Sequence, residues 1–172
     1  MDTFFEQIVT IRVEGKKLFS LIFSWIIALL ACIGIIVLSM FVPIVLMVIV
    51  LAIVGILMGT YKLCQKFFIE YEYIVTNNSL DIDTIIARNN RKRLITVDIP
   101  SIISFSKYDQ NKIKHKQYNK TYFCANEDDE LYMIEYKHRT QGNVLIIFAP
   151  NEKIIGAIKR TAPRVVCNIW RY

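Results

Sequence analysis

Residues 18–61 carry no charged side chain: Lys17 is the last charge before this block and Lys62 the first after it. A helix needs about 20 apolar residues to cross a bilayer, so a block of 44 residues is long enough for two crossings. Ser39 and Pro43 fall near its middle, where a chain can reverse. As one continuous helix the block would run about 66 Å, twice the hydrocarbon thickness. It therefore reads as a hairpin with helices over residues 18–42 and 44–61. Pro43 suits the first position of the second helix, because the N–H it lacks would be unpaired there.

Both flanks of the block are basic: Arg12, Lys16 and Lys17 before it, Lys62 and Lys66 after it. The positive-inside rule puts both flanks in the cytoplasm, which requires an even number of crossings. Trp25 and Tyr61 lie toward the ends, where amphipathic rings prefer the interface. Leu29 to Cys32 has the outline of a lipoprotein cleavage box, but the chain stays apolar long after Cys32, where a processed lipoprotein would turn polar. No Asp, Glu, Lys, Arg or His lies inside the block, so a transport path or proton relay is not expected of it. Gly55 and Gly59 form a GxxxG spacing, and Ser24, Ala28 and Cys32 a second small-residue stripe. Such stripes serve either packing within the hairpin or association with a second copy. In residues 1–17, Phe4, Phe5, Ile8, Val9 and Ile11 fall roughly on one helical side, which suggests a short helix along the inner leaflet.

After the hairpin the period changes to two. Ile69, Tyr71, Tyr73 and Val75 alternate with Glu70 and Glu72, and Leu80, Ile82, Thr84 and Ile86 with Asp81 and Asp83. Asn77, Asn78 and Ser79 supply the turn between them. A second turn is expected over residues 89–92. Strands follow over 94–99, 102–108, 122–125, 131–137 and 144–149, separated by a lysine-rich loop over 109–120 and an acidic turn over 126–130. Asn151 then reads as the N-cap of a helix that buries Ile154, Ile155 and Ile158 and ends before Pro163. The order of strands and then one helix implies a curved antiparallel sheet closed by a C-terminal amphipathic helix. In the tail, residues 164–172, Val166, Ile169 and Trp170 are placed to cover an edge or to lie on the membrane.

The stretch EYEYIVTNNSLDID at residues 70–83, with RKRLITVD at 91–98 and APNEK at 149–153, resembles bacterial pleckstrin-homology (PH)-like domains. The chain is similar to a family of small membrane proteins of Gram-positive bacteria in which a transmembrane hairpin leads into such a domain, over residues 67–163. The resemblance implies an α+β membrane protein: a two-helix hairpin, then a PH-like curved sheet or barrel with a C-terminal capping helix. It implies no activity.

The residues point to binding rather than catalysis. Asp81 and Asp83 share a strand face, the spacing a metal or acid–base pair would use, yet an ordinary solvated strand face explains them as well. Cys124 and His138 have no fixed relation. The four cysteines, Cys32, Cys64, Cys124 and Cys167, form no CxxC pair and read as free thiols in a reducing cytosol. No phosphate-binding, metalloprotease or hydrolase motif occurs, and no cofactor is expected. The chain has a net charge of +6, and basic residues cluster at Arg88, Arg91, Lys92 and Arg93 and at Lys112, Lys114 and Lys116. These are the candidate contacts to an anionic membrane surface. Nucleic acid is not expected as a partner, since no reading motif accompanies the charge. The expectation is a cytoplasmic-membrane protein with both termini inside, whose domain binds a protein partner, the membrane surface, or both. The alternatives are an accessory subunit of a larger membrane complex and an envelope- or lipid-acting enzyme.

Overall fold

A computed structural model describes residues 4–13, 15–41, 46–114 and 116–163, without the side chains of Phe41, Leu46, Met47, Lys112 and Lys114. Pro43 and the tail residues Val166, Ile169 and Trp170 lie outside the described residues. The chain divides into two compact units. One holds the helical hairpin with residues 86–89, and the other holds the strands.

The first helix, α1, spans Gly15–Phe41 and the second, α2, spans Leu46–Gln65. Ser24 Oγ lies 3.5 Å from Cys64 Sγ, which sets the third turn of α1 beside the last turn of α2. The seam is a stripe at helical spacing: Ser24, Ala28 and Cys32 on α1 against Ile53, Ile56, Thr60 and Cys64 on α2. Ser24 Oγ also donates to Leu21 O at 2.7 Å and Thr60 Oγ1 to Ile56 O at 2.9 Å, so these hydroxyls are satisfied without water. Outside the seam the side chains are bare. Only 6% and 11% of the most apolar stretches of α1 and α2 are buried, which is compatible with a membrane anchor. The second helix runs past Tyr61 to Gln65 because Lys62 is a good helix former and Cys64 packs on α1.

The segment before the hairpin is a strand and not the leaflet-bound helix expected of it. Strand β1, Phe4–Thr10, pairs antiparallel with β2, Ile69–Thr76, with Phe4 opposite Thr76 and Thr10 opposite Glu70. Two apolar doublets four residues apart, at Phe4–Phe5 and Ile8–Val9, satisfy a helical stripe and a strand equally. Pairing with β2 decides between them: Phe5 and Val9 turn to the core, while Phe4 and Ile8 face out. The chain thus leaves β1, runs through both helices, and returns as the neighbouring strand.

Strands β3, Ser79–Ile86, and β4, Asn90–Asp98, complete a sheet of order β1-β2-β3-β4. The turn before β3 contains Asn77 at φ 51°, as its sequence implies. A second sheet has order β5-β7-β8-β6, from β5 (Ile102–Lys107), β6 (Lys120–Phe123), β7 (Tyr132–His138) and β8 (Gly142–Phe148). Its β6 runs parallel to β8, a departure from the all-antiparallel expectation. Between β5 and β6, where a loop was expected, lies the short helix α3, Gln110–Lys114.

The core lies between the sheets and under helix α4, Glu152–Thr161. Asn151 Oδ1 accepts from Ile154 N at 3.0 Å, capping α4, whose Ile154, Ala157 and Ile158 are buried. Polar side chains tie the first sheet to the second. The fully buried Tyr73 donates its hydroxyl to Cys124 O and accepts from Ala149 N at 3.4 Å. Gln7 on β1 donates to Ala149 O at 2.9 Å and accepts from Asn151 N at 2.7 Å, holding β1 to the β8–α4 junction.

Candidate functional site

The basic cluster at residues 88–93 divides into two parts with different chemistry. Arg91 and Arg93 lie on β4, not in the turn expected at 89–92, and both are committed to carboxylates. Asp83 accepts from Arg91 Nε at 2.8 Å and from Arg93 Nε at 2.7 Å. Arg93 Nη1 reaches Asp81 at 2.9 Å, and Arg91 pairs with Glu72. The side chains of Asp83 and Glu72 are each 4% exposed, whereas those of the arginines are half exposed. Burial alone would raise the Asp83 carboxyl, but hydrogen bonds from Arg93 and Arg91 outweigh it and hold it below its ordinary value. Glu72 moves the other way, pushed up by burial and by a hydrogen bond with Glu6. Asp81 and Asp83 are therefore not the solvated strand face expected of them. They form an ion-pair network across β2, β3 and β4.

Lys116 is compensated too. Its Nζ lies 2.9 Å from both oxygens of Glu135, which also accepts from Tyr118 OH at 3.0 Å. Burial and this carboxylate push the Tyr118 phenol up to about 12. Ile103, Lys116, Tyr118, Glu135 and Asn143 line a cavity of about 360 Å³. Lys112 and Lys114 fall on α3, and Lys92 is exposed on β4.

Cys124 and His138 do not meet. Cys124 N bonds Ile147 O, whereas His138 pairs with Gly142, at the other end of β8. Five residues of strand separate those positions, about 16 Å. Burial pushes the Cys124 thiol up to about 12, the direction opposite to an activated nucleophile. His138 Nδ1 faces the backbone N–H groups of Thr140 and Gln141 at 3.3 Å, so the ring closes the β7–β8 turn.

The remaining candidate, Arg88, stands on the turn over Ile86–Asn89. Ala87 has φ 51° and Arg88 φ 57°, and Asn89 N donates to Ile86 O at 3.2 Å. This is a type I′ turn with both central residues left-handed, a conformation that suits Asn-Gly and costs about 1 kcal/mol or more at each ordinary residue. A second bond holds it: Ala87 N donates to Phe68 O at 2.8 Å, just beyond the end of α2. Ala-Arg has no turn signature, so the sequence reading placed the turn on the asparagines that follow. A signal was nevertheless present. The acidic pair Asp81/Asp83 and the basic pair Arg91/Arg93 are symmetric about residue 87.

The Gly55 and Gly59 stripe takes no part in the hairpin seam: a Cβ added at either would meet no atom within 4 Å. Of the two stripes seen in the sequence, the one on α1 forms the seam.

Comparison with curated proteins and with solved structures gives no match. The family comparison does give one, and it extends over β1 and both apolar helices as well as the later strands. The chain belongs to the bacterial PH-like domain family DUF6106, which matches residues 1–168.

Proposed function

We propose that the chain is a two-pass membrane-anchored interaction module. In this reading α1 and α2 cross the cytoplasmic membrane, both chain ends lie in the cytoplasm, and the PH-like domain is held at the inner leaflet. There it binds a protein partner, the anionic membrane surface, or both. One observation carries the topology. The strands on either side of the hairpin, β1 and β2, are adjacent over seven residue pairs of one sheet. Strand neighbours lie about 5 Å apart, which supports placing both ends of the hairpin on the same side of a hydrocarbon layer of about 30 Å. The basic flanks support the same orientation independently. A binding role is supported by the state of the candidate catalytic groups, since Asp81 and Asp83 are held by arginines and Cys124 is buried. The outward-facing Gly55 and Gly59 favour a second reading, an accessory subunit whose hairpin packs against another membrane helix.

Labelling of intact cells tests the anchor. In a cysteine-free background, Met40→Cys at the far end of α1 is expected to react with an impermeant maleimide, and Lys92→Cys only after lysis. Labelling of Lys92→Cys in intact cells would overturn the orientation.

A further inference from the structure

We infer that the cavity between β7 and the segment after α3 is a binding site for a small zwitterion of the α-amino-acid kind, whose ammonium meets Glu135 and whose carboxylate meets Lys116. All the residues that line it belong to the strand unit, so the site stands whether or not α1 and α2 cross a membrane. Alternation along β7 turns Met133 and Glu135 to the face of the second sheet opposite the main core. Met133, with Leu145 and Ile147 of β8, is buried there against Ile113 and Tyr118. Beside this apolar cluster stands an ion: the side chain of Glu135 is 10% exposed, with Ser104 and Leu145 as its register partners. An ion pair in such a place stabilises no more than apolar side chains of the same volume, and often less. Its position at the cavity points instead to recognition. The volume of about 360 Å³ falls near the lower end of the range for small-molecule sites, which suits a metabolite better than a peptide segment or a lipid chain. Ile103, the extra residue of the β5 bulge and 54% exposed, supplies an apolar wall, and the exposed amides of Gln117 and Asn143 complete the lining. Lys116 Nζ bonds both oxygens of Glu135, and Tyr118 OH donates to one of them. An ammonium has three donors and a carboxylate about four acceptor sites, so both groups keep capacity for a ligand. The Lys116–Glu135 pair carries no net charge. A ligand with a single charge meets attraction from one member and repulsion from the other, whereas a zwitterion laid antiparallel to the pair meets attraction from both.

Saturation-transfer difference NMR of the full chain in deuterated detergent, against an equimolar mixture of the twenty common L-amino acids, reads the site. At least one amino acid is expected to receive saturation. For that one, the acid lacking the amine and the amine lacking the carboxylate are each expected to bind about tenfold more weakly, the worth of one charge-assisted contact. Glu135→Gln keeps an acceptor for Tyr118 and Lys116 but removes the negative charge. It is expected to weaken the amino acid about tenfold and to leave the deaminated acid binding as well as the amino acid or better, a reversal that a merely structural change would not produce. Asn143→Ala, on an exposed residue of the lining, is expected to weaken the amino acid about fivefold with the melting temperature unchanged. Lys137→Gln, a change of one charge two residues along β7 and outside the lining, is expected to alter neither. Absence of transfer to all twenty would overturn the site, as would equal binding of the singly charged analogues or undiminished binding by Glu135→Gln. Phosphoethanolamine, the zwitterion of a lipid headgroup, forms a separate arm: its binding in place of every amino acid would overturn the assignment to a free amino acid.

Discussion

The PH-like domain is discontinuous in sequence, so it should not fold from the segment after the hairpin alone. A fragment over residues 65–163 lacks β1. That strand contributes Phe5 and Val9, partly buried against the core, and the two bonds from Gln7 to the β8–α4 junction. Burying half of a Phe and half of a Val side chain is worth about 2–3 kcal/mol together. Two hydrogen bonds add about 1 kcal/mol each. The loss of about 4–5 kcal/mol compares with total stabilities of about 5–15 kcal/mol for domains of this size, and it leaves β2 as a bare edge. The informative comparison is a chain in which residues 11–69 are replaced by Asn-Gly. Because Thr10 pairs with Glu70, a two-residue type I′ turn can join β1 directly to β2. Near-ultraviolet circular dichroism and thermal melts of the two soluble proteins give the answer. The joined chain should melt cooperatively, whereas the fragment should show no cooperative transition or one lowered by tens of degrees. Equal melting of the two would refute the assignment of β1 to the domain.

Four further outcomes follow from the same structure. Asp83→Ala should destabilise the joined domain by about 2–3 kcal/mol, below the loss for a wholly buried pair because its arginines are half exposed. The Asp83 carboxyl is held below its ordinary value, so the stability it gives is complete above the ordinary carboxylate range near 4 and is lost as pH falls through the lower folded value; acid titration of Asp83→Asn should show a smaller loss than the parent. Tyr73→Phe removes the hydroxyl between Cys124 O and Ala149 N and should cost about 1–2 kcal/mol by denaturant melt. In the hairpin, Ser24→Cys should form an intrachain disulfide with Cys64; adding Ala28→Phe should abolish it by overpacking the seam, while Gly55→Leu should not.

Periodicity made the core of this fold legible. The alternation through Tyr71, Tyr73 and Val75, the asparagine turn, and the Asn151 cap each rest on local chemistry, and each is present in the structure. The sequence reading failed where the deciding contact was distant. Phe4 to Thr10 is a strand because β2 lies about 60 residues on, and no local pattern separates its doublets from a helical stripe. The turn at Ala87 and Arg88 was hidden because its residues are chosen against turn propensity. The arginines looked like one cationic patch because counting charge along a chain ignores the carboxylates that β2 and β3 bring alongside. The glycine pair and the Ser24 stripe looked alike in one dimension, and only the helix crossing shows which one forms the seam.

The central proposal is that α1 and α2 anchor the chain in a membrane and that the pairing of β1 with β2 keeps both ends of the hairpin on one face of it. Phe4 and Thr76 are register partners on the exposed side of the sheet. Their Cα atoms should lie about 4.5–5.5 Å apart, within disulfide range. In the cysteine-free full chain, Phe4→Cys with Thr76→Cys should oxidise in native membranes to an intrachain disulfide, and the free thiols should be labelled only from the cytoplasmic side. Absence of the intrachain bond, or labelling of the two cysteines from opposite faces, would contradict the account.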